Sequence, residues 1–366
     1  MEKKDRLISL DTFRGADMLF IMGFAALVER FCNWIGMKGC WLAQQMRHVA
    51  WEGIVQHDTI FPTFLFIAGI SWPFSYASQV AKGASTTKIV LRIFKRGFLL
   101  FLLGLVYSGL FKFQFAHLRI PGVLQFIGLS WMFSALLYVF VRKVGVRIAI
   151  AAGLLIGYWS LLAFNVAPNA PAGKGPFSLE GNIVYWIDRT FLHGHTLSKM
   201  GDPESIISVL SGTCTAMFGV FAGEIVRSAW AEKRKVLTLL GFALGLLALG
   251  FAWQPWCPCI KKLWSPTFAL FAGAYSCFFF MVFYTICDVW KLRRWTYFFR
   301  VIGLNSITIY MAQRIVDFNG INKFFFGGLA NQMSKEAGLV LTSTTYILVC
   351  WCFLWFLERK NVHLKV

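Results

Sequence analysis

The chain has 366 residues, of which 57% are hydrophobic and 14% are charged, and it carries a formal net charge of +19. Soluble domains usually contain about 25% charged residues, so this composition excludes an ordinary soluble protein. Apolar segments of roughly 20 residues, the length that crosses a bilayer, recur along the whole sequence. We therefore predict an all-α polytopic membrane protein in which residues 1–366 form a single transmembrane domain surrounded by lipid.

About ten segments have the length and apolarity of membrane spans. The first lies beside Asp11, Arg14 and Asp17 and is interrupted by Glu29 and Arg30. Such charges are foreign to the apolar core of a cleaved signal peptide, so this segment is predicted to be a retained span. In chain order the predicted spans are 14–36, 57–81, 90–113, 120–142, 146–166, 205–230, 236–254, 265–289, 297–317 and 340–358.

The basic residues are distributed unequally between the two sides of the predicted bundle. If the N-terminus is cytoplasmic and the spans alternate, most of the 36 Lys and Arg residues fall in short inner segments, among them Lys3, Lys4, Arg6 and Lys365. This bias places both termini in the cytoplasm and leaves two long outer loops, 37–56 and 167–204, which are expected to frame any outer site. Because the positive charge is spread over many short loops, it argues against a nucleic-acid partner.

Nine cysteines are present, and most of them lie inside apolar spans, where a thiol usually acts as a small hydrophobe. Cys40, Cys257 and Cys259 fall on the outer, oxidising side, so pairing of Cys40 with Cys257 or with Cys259 stays open. The Cys-Pro-Cys spacing without neighbouring His or acidic residues is a poor zinc signal. Two His and a carboxylate can also bind zinc, but the nine-residue spacing of His48 and His57 matches no i, i+4 pair of a helix, so the sequence predicts no metal site.

The densest group of ionisable residues surrounds the start of the second span. His48, Glu52, His57 and Asp58 all fall within an eleven-residue stretch, which lies on the predicted outer face. A histidine next to a carboxylate can act as a general base, because the carboxylate fixes its tautomer. Asp58 follows His48 by ten residues, so contact requires the intervening chain to turn back. We predict His48 and Asp58 as catalytic residues, with Trp51 and Glu52 binding the substrate.

Basic residues near the predicted inner face form a second candidate site. Asp11 and Arg14 open the first span, and Arg92, Lys95 and Arg96 open the third. Arginine suits phosphate recognition through paired hydrogen bonds, so these residues are predicted to bind a phosphorylated cofactor. An intrahelical ion pair between Asp11 and Arg14, three residues apart, is the alternative.

Polar residues in later spans form two further candidate groups. Arg119 and Gln125 flank the entry to the fourth span, and Asn305 and Gln313 lie on one side of the ninth. We assign all four to substrate binding, although hydrogen bonds between helices would equally account for the last two. In Asp202-Pro203-Glu204, an Asp N-cap followed by Pro at the first helical position accounts for the start of the sixth span without any function.

These segments together resemble the heparan-alpha-glucosaminide N-acetyltransferase family of multipass, acetyl-CoA-dependent enzymes. The chain looks like a short, bacterial-type member, and the matching segments occur in the family's order over nearly the whole sequence. They are Ser9-Leu-Asp11-Thr-Phe-Arg14-Gly15, His48-Val-Ala-Trp51-Glu-Gly53, Asp58-Thr-Ile-Phe61-Pro62, Arg119-Ile-Pro-Gly-Val-Leu-Gln125, Asp202-Pro-Glu204, Leu263-Trp264-Ser265 and Asn305-Ser306.

The resemblance implies a concrete reaction. Acetyl-CoA would enter from the cytoplasm, and its acetyl group would pass to the amine of glucosamine, or of a glucosamine-terminated oligosaccharide derived from heparan, on the outer side. The family's active-site histidine matches His48. The implied location is the bacterial inner membrane with a periplasmic acceptor site, and formation of a homodimer stays open.

Two positions depart from the family pattern. An Asn of the family's first span has no clear counterpart, since the matching stretch reads Gly23-Phe-Ala-Ala26, and Gln313 stands in place of a family His. Substrate preference or rate is therefore expected to differ. Two mechanisms stay open, an acetyl-histidine intermediate and direct attack of the amine on the thioester.

Two other functions fit the same architecture. One is an acyltransferase that modifies another envelope glycan or a glycolipid, which acceptor selectivity would distinguish. The other is a multipass transporter, which would move its solute without consuming acetyl-CoA. Transporters often contain internal repeats, and the sequence shows none.

Overall fold

The computed structural model describes residues 7–362 and 364, and within these residues the architecture is helical. The basic residues Lys3, Lys4, Arg6 and Lys365, which the charge bias assigned to the inner side, lie outside the described residues. No strand is formed in the described part of the chain, where the β contacts are isolated bridges such as Glu52 with Ile260. The predicted all-α class is confirmed.

The described residues form fifteen α-helices. They are α1 (Ile8–Leu19), α2 (Ala25–Trp34), α3 (Trp41–Gln45), α4 (Gln56–Ala81), α5 (Thr86–Tyr107), α6 (Val123–Phe140), α7 (Val144–Phe164), α8 (Ile183–Phe191), α9 (Val209–Arg227), α10 (Glu232–Trp253), α11 (Pro266–Tyr284), α12 (Thr296–Leu304), α13 (Ser306–Ile315), α14 (Phe318–Asn331) and α15 (Lys335–Arg359).

Seven helical segments within residues 7–362 are long and apolar enough to cross a membrane. They confirm a polytopic membrane protein, but they do not confirm about ten spans. The seven correspond to α4, α6, α7, α9, α10, α15 and the segment Pro266–Val289, in which α11 continues into a π-helical turn.

The three remaining predicted spans fall short for physical reasons. The first is divided into α1 and α2 by a π-helical turn at Phe20–Phe24, where Gly23 has φ of 116°. The ninth is divided at Asn305 into α12 and α13. The third corresponds to α5, whose first half carries the charged residues Lys88, Arg92, Lys95 and Arg96.

The described residues divide into two compact units. The first comprises those within Met1–Val49, Val55–Ile60 and Phe279–Lys365, and the second comprises Ala50–Ile54 and Phe61–Phe278. The chain therefore leaves the first unit after Val49 and re-enters it at Val55.

In the first unit, small residues let α1 and α12 approach closely. A side chain at Gly15 would collide with the backbone carbonyl of Phe299, and one at Gly303 would collide with that of Asp11. Glycine at both contact points permits packing of two backbones, as in many membrane helix pairs. Phe13 fills the neighbouring space with its ring centroid 5.2 Å from that of Phe283.

In the second unit, α4 and α9 pack by the same means. Added side chains at Gly69, Gly219 and Gly223 would each meet backbone atoms of the opposite helix. An aromatic cluster closes the N-terminal end of α4, where Phe61 and Phe126 both pack against Trp264, at centroid distances of 4.9 and 4.4 Å. These contacts pack Phe61 of α4 into the core of the second unit.

One local prediction is wrong, and the cysteine pairing that the sequence left open is not formed within residues 7–362. Helix α9 begins at Val209 after Ser208, so Asp202 does not cap it, because the chain makes further turns before the helix starts. No disulfide is formed among the described residues, so neither pairing left open for Cys40 is present. The Cys40 thiol instead shares a hydrogen bond with Cys32 of the same unit.

Candidate active site

The chain turns back between α3 and α4 and brings His48 against Asp58. The Nδ1 atom of His48 lies 2.7 Å from Oδ1 of Asp58, and Oδ2 of Asp58 accepts a hydrogen bond of 3.3 Å from the backbone amide of Val49. The Asp58 side chain is fully buried, whereas 57% of the His48 side chain is exposed. A buried carboxylate therefore supports an imidazole that remains open to a substrate.

Further polar contacts fix the two ends of the His48 loop. Oε1 of Gln45, at the end of α3, accepts a hydrogen bond of 3.0 Å from the backbone amide of Gln56, at the start of α4. Arg47 donates to the carboxylate of Glu29 on α2, with a distance of 3.0 Å from its Nε. The two ends of the loop are thus joined by a hydrogen bond, and the loop is also bound to α2. Both contacts restrict the position of His48.

The arrangement suits proton abstraction. An ionised carboxylate only accepts hydrogen bonds, so when Asp58 is ionised the proton of neutral His48 resides on Nδ1. Nε2 then keeps its lone pair and points away from Asp58, as a general base requires. Protonation of Nε2 gives an imidazolium, which the Asp58 carboxylate stabilises across the 2.7 Å contact.

The residues that follow His48 are anchored within the second unit. Trp51 donates its indole N–H to the carbonyl of Phe177 at 2.8 Å, and its ring meets the edge of Tyr185. The amide of Gly53 donates to the carbonyl of Cys259 at 2.8 Å. Trp51 therefore anchors this part of the chain to loop 167–204, whereas Glu52 is exposed. The roles predicted for Trp51 and Glu52 in substrate binding stay predictions.

Arg119 is engaged by carboxylates that the sequence did not suggest. Its Nε and one terminal nitrogen donate to the two oxygens of Asp202 at 2.8 and 2.7 Å, and the same terminal nitrogen contacts Glu204. Asp202 also accepts from the amide of Leu197 at 2.8 Å. This paired geometry makes Arg119 the centre of an ionic cluster that shapes loop 167–204.

A third carboxylate belongs to the same cluster. Asp188 on α8 accepts a hydrogen bond of 2.8 Å from the hydroxyl of Ser205, and the amide of Asp202 donates to it at 3.4 Å. Only its position in the fold reveals Asp188, since nothing in the local sequence distinguishes it.

The pKa values of these acids diverge. Burial raises the pKa of Glu204 to about 7, with the nearby charge of Asp202 adding to the effect and that of Arg119 opposing it. Burial likewise raises the pKa of Asp188 to about 7, against its hydrogen bond from Ser205. For Asp202, burial is outweighed by hydrogen bonding and charge from Arg119, which lower its pKa. Asp202 is therefore the ionised partner of Arg119 at neutral pH.

Gln125 lies near the start of α6 and is buried. Its amide fills the space that side chains at Gly104 and Gly122 would otherwise occupy. The Nε2 atom has no hydrogen-bond partner in the described part of the chain. A buried amide donor in this state is a candidate for a bound water or ligand oxygen, and the role of Gln125 in substrate binding stays a prediction.

The two polar residues of the ninth predicted span differ in their surroundings. Asn305 is buried at the break between α12 and α13. Gln313 donates to the hydroxyl of Tyr346 on α15 at 3.0 Å, which is the helix-to-helix hydrogen bond of the alternative interpretation.

The predicted cofactor residues have several kinds of contact. Asp11 and Arg14 lie 3.6 Å apart within α1 of the first unit, as the ion-pair alternative anticipated. In the second unit, Arg92 donates to Gln79 at 2.8 Å and Arg96 stacks 4.2 Å from the ring centre of Trp131, while Lys95 is exposed.

No group of three or more His, Cys, Asp and Glu side chains within the described residues is arranged to hold a metal ion.

The fold and the His48–Asp58 pair define a polytopic membrane protein with a candidate acid–base site. No protein-family model matches the chain. Among curated proteins, the chain is similar to heparan-alpha-glucosaminide N-acetyltransferase of Homo sapiens, with 27% identity over 415 residues, covering 99% of this chain and 60% of that protein. The protein of the same name from Mus musculus is 25% identical over 419 residues, covering 99% and 61%.

The chain thus spans about three-fifths of the length of the curated relatives it matches. The resemblance predicted from the ordered motifs is confirmed, because the similarity extends over nearly every residue of this chain.

Proposed function

We propose that the protein is a transmembrane N-acetyltransferase that passes the acetyl group of acetyl-CoA to the amine of a terminal glucosamine. The His48–Asp58 pair carries this proposal, since it is an exposed base supported by a buried carboxylate. The similarity over 99% of the chain to proteins named heparan-alpha-glucosaminide N-acetyltransferase supports the choice of donor and acceptor.

The favoured mechanism is direct transfer. Nε2 of His48 removes a proton from the glucosamine ammonium, and the freed amine attacks the thioester carbonyl. The new C–N bond forms as the C–S bond of acetyl-CoA breaks, and the second proton lost by the amine nitrogen passes to the departing sulfur, so that CoA leaves as the thiol. Because a thioester is already activated, positioning and removal of one proton are sufficient.

An acetyl-histidine route uses the same atoms in a different order. Nε2 would attack the thioester, CoA would leave, and the amine would then take the acetyl group from the imidazole. Asp58 would stabilise the positive ring in either route.

The basic residues of the inner segments support an orientation in which acetyl-CoA is bound from the cytoplasm and the acceptor from the periplasm of a bacterial inner membrane. Arg14, oriented by Asp11 in the first unit, is one proposed contact for the CoA phosphates, and Arg92, Lys95 and Arg96 of the second unit are another. The proposed acceptor-binding residues are Trp51, Glu52, Arg119 and Gln125 in the second unit and Asn305 and Gln313 in the first.

Release of free CoA thiol by the purified protein tests the proposal. Glucosamine, galactosamine, glucosamine-terminated oligosaccharides and N-acetylglucosamine are supplied in turn, and His48→Ala is compared with His193→Ala, which removes an exposed histidine of loop 167–204. We expect release that requires a free amine on glucosamine and is lost only in His48→Ala. Release with other acceptors alone would indicate a different acyltransferase, and no release from folded protein would favour a transporter.

A further inference from the structure

A second histidine lies against the candidate base. His57, in the first turn of α4, has its ring centre 4.5 Å from that of His48, and the two ring planes are inclined by 41°. This distance is at the short end of the range for aromatic pairs, so the two rings are in van der Waals contact. His57 is partly buried, whereas His48 is exposed.

The hydrogen bond to Asp58 does not by itself fix the His48 ring. It is made at one atom, Nδ1, and permits rotation of the ring about that contact. More than half of the His48 side chain is exposed, so packing over that part of the ring does not restrict its rotation. A neighbouring ring in contact with the His48 ring restricts this rotation.

The His57 ring is itself well placed to act as that neighbour. The first turn of α4 is tied to α3 through Gln56 and Gln45, and the amide of Asp58 donates to the carbonyl of Val55 at 3.0 Å. Asp58 and His57 are adjacent in sequence. One helical turn therefore supplies both the hydrogen-bond partner of His48 Nδ1 and the ring that contacts the His48 ring.

We propose that His57 is a positioning residue whose ring packs against that of His48 and so directs Nε2 of His48 towards the acceptor amine. This inference rests on the proposed role of His48 as the base. It assigns to His57 a part in orientation through its flat ring, and not through its nitrogen atoms.

Three variants separate the effect of the His57 ring from that of its nitrogen atoms. His57→Ala removes the ring that contacts His48, and His57→Phe keeps a flat ring without nitrogen atoms. His193→Ala is the control for loss of an imidazole elsewhere, at an exposed position. All are purified as the full chain in detergent, and their elution and thermal unfolding establish that they are folded.

Steady-state kinetics with acetyl-CoA and glucosamine give the first readout. We expect His57→Ala to lower kcat by about tenfold, with both KM values within about twofold of the wild type, because misorientation of a bound catalytic group affects the chemical step. His57→Phe should recover most of the lost kcat. An unchanged kcat in His57→Ala, an equal loss in His57→Phe, or a change confined to KM would each overturn the proposal.

Modification of His48 by diethyl pyrocarbonate, followed by mass spectrometry of the peptide, gives a readout that does not need acetyl transfer. We expect faster modification of His48 in His57→Ala, because one ring face is uncovered, and wild-type rates in His57→Phe and His193→Ala. Equal rates in all four proteins would overturn the proposed packing of His57 against His48. If the wild type acetylates no amino sugar, the proposed function fails while this labelling still decides the inference.

Discussion

At the scale of single residues, the Asp58 carboxylate controls which nitrogen of His48 presents a lone pair. The 2.7 Å contact at Nδ1 and the burial of Asp58 make this a fixed feature of the site. The sequence allowed both residues to be proposed, because two His and two acids occur close together beside an apolar span. The turn that brings His48 against Asp58, and the contact between the His48 and His57 rings, could be seen only in the structure.

Asp58→Asn tests this control directly. The side-chain amide can donate to Nδ1, which moves the ring proton to Nε2 and removes the lone pair that the amine needs. We expect kcat to fall by about 100-fold or more, with the KM for acetyl-CoA nearly unchanged. Glu180→Gln, which breaks an exposed ion pair of 3.3 Å with Lys174, is the control. Wild-type kcat in Asp58→Asn would refute a His–Asp base.

Arg119 and Asp202 provide a prediction about stability. Arg119→Gln leaves the buried Asp202 carboxylate without its cation, so we expect a loss of about 3 kcal/mol and a lower unfolding temperature. The double variant with Asp202→Asn should lose less than the sum of the two single variants, because neither charge is then left alone. Additive losses in thermal unfolding would show that the two residues are not coupled.

Glu204 predicts a pH dependence of the same cluster. Its pKa is about 7 in the folded protein, above the ordinary value of 4.5, so the folded state holds its proton more tightly than the unfolded state. The associated stability is complete below pH 4.5 and is lost as the pH rises towards 7. We expect Glu204→Gln to flatten the fall in unfolding temperature between about pH 5 and about pH 7.5. An identical slope in the variant would contradict this assignment.

At the scale of helices, close packing through glycine determines where α1 and α12 lie. Gly15→Val should destabilise the protein severely, because its side chain would meet the Phe299 carbonyl and neither backbone can retreat. Gly157→Val on α7 is the matched control, since an added side chain there meets no atom within 4 Å. Thermal unfolding of the two variants tests this prediction. Equal losses of unfolding temperature would show that close packing at Gly15 is not required for the α1–α12 contact.

Most helices were predictable, but the interruptions within them were not. Composition alone locates α4, α6, α7, α9, α10 and α15, because each is a continuous apolar segment. The breaks at Gly23 and Asn305 lie inside segments that were each predicted as one span, because a single Gly or Asn inside a membrane span does not by itself mark an interruption. The pairing of Arg119 with Asp202 was also missed, because the two residues are 83 positions apart and an N-cap accounted for Asp202 locally.

At the scale of the whole molecule, similarity and site geometry point to the same chemistry. The chain is similar to its curated relatives over 99% of its length, yet it covers only 60% of the human protein. The activity proposed for it therefore depends on what its own residues can do, and above all on His48. The proposed orientation in the membrane adds that donor and acceptor are bound from opposite sides.

Transfer of a labelled acetyl group to glucosamine is the most direct test. The purified protein is reconstituted in vesicles with deuterated acetyl-CoA on one side and glucosamine on the other, and N-acetylglucosamine is measured by mass spectrometry. We predict labelled N-acetylglucosamine from the wild type and from His193→Ala, and none from His48→Ala. Folded wild-type protein that yields no labelled product from any amino sugar, or undiminished product from His48→Ala, would contradict the account.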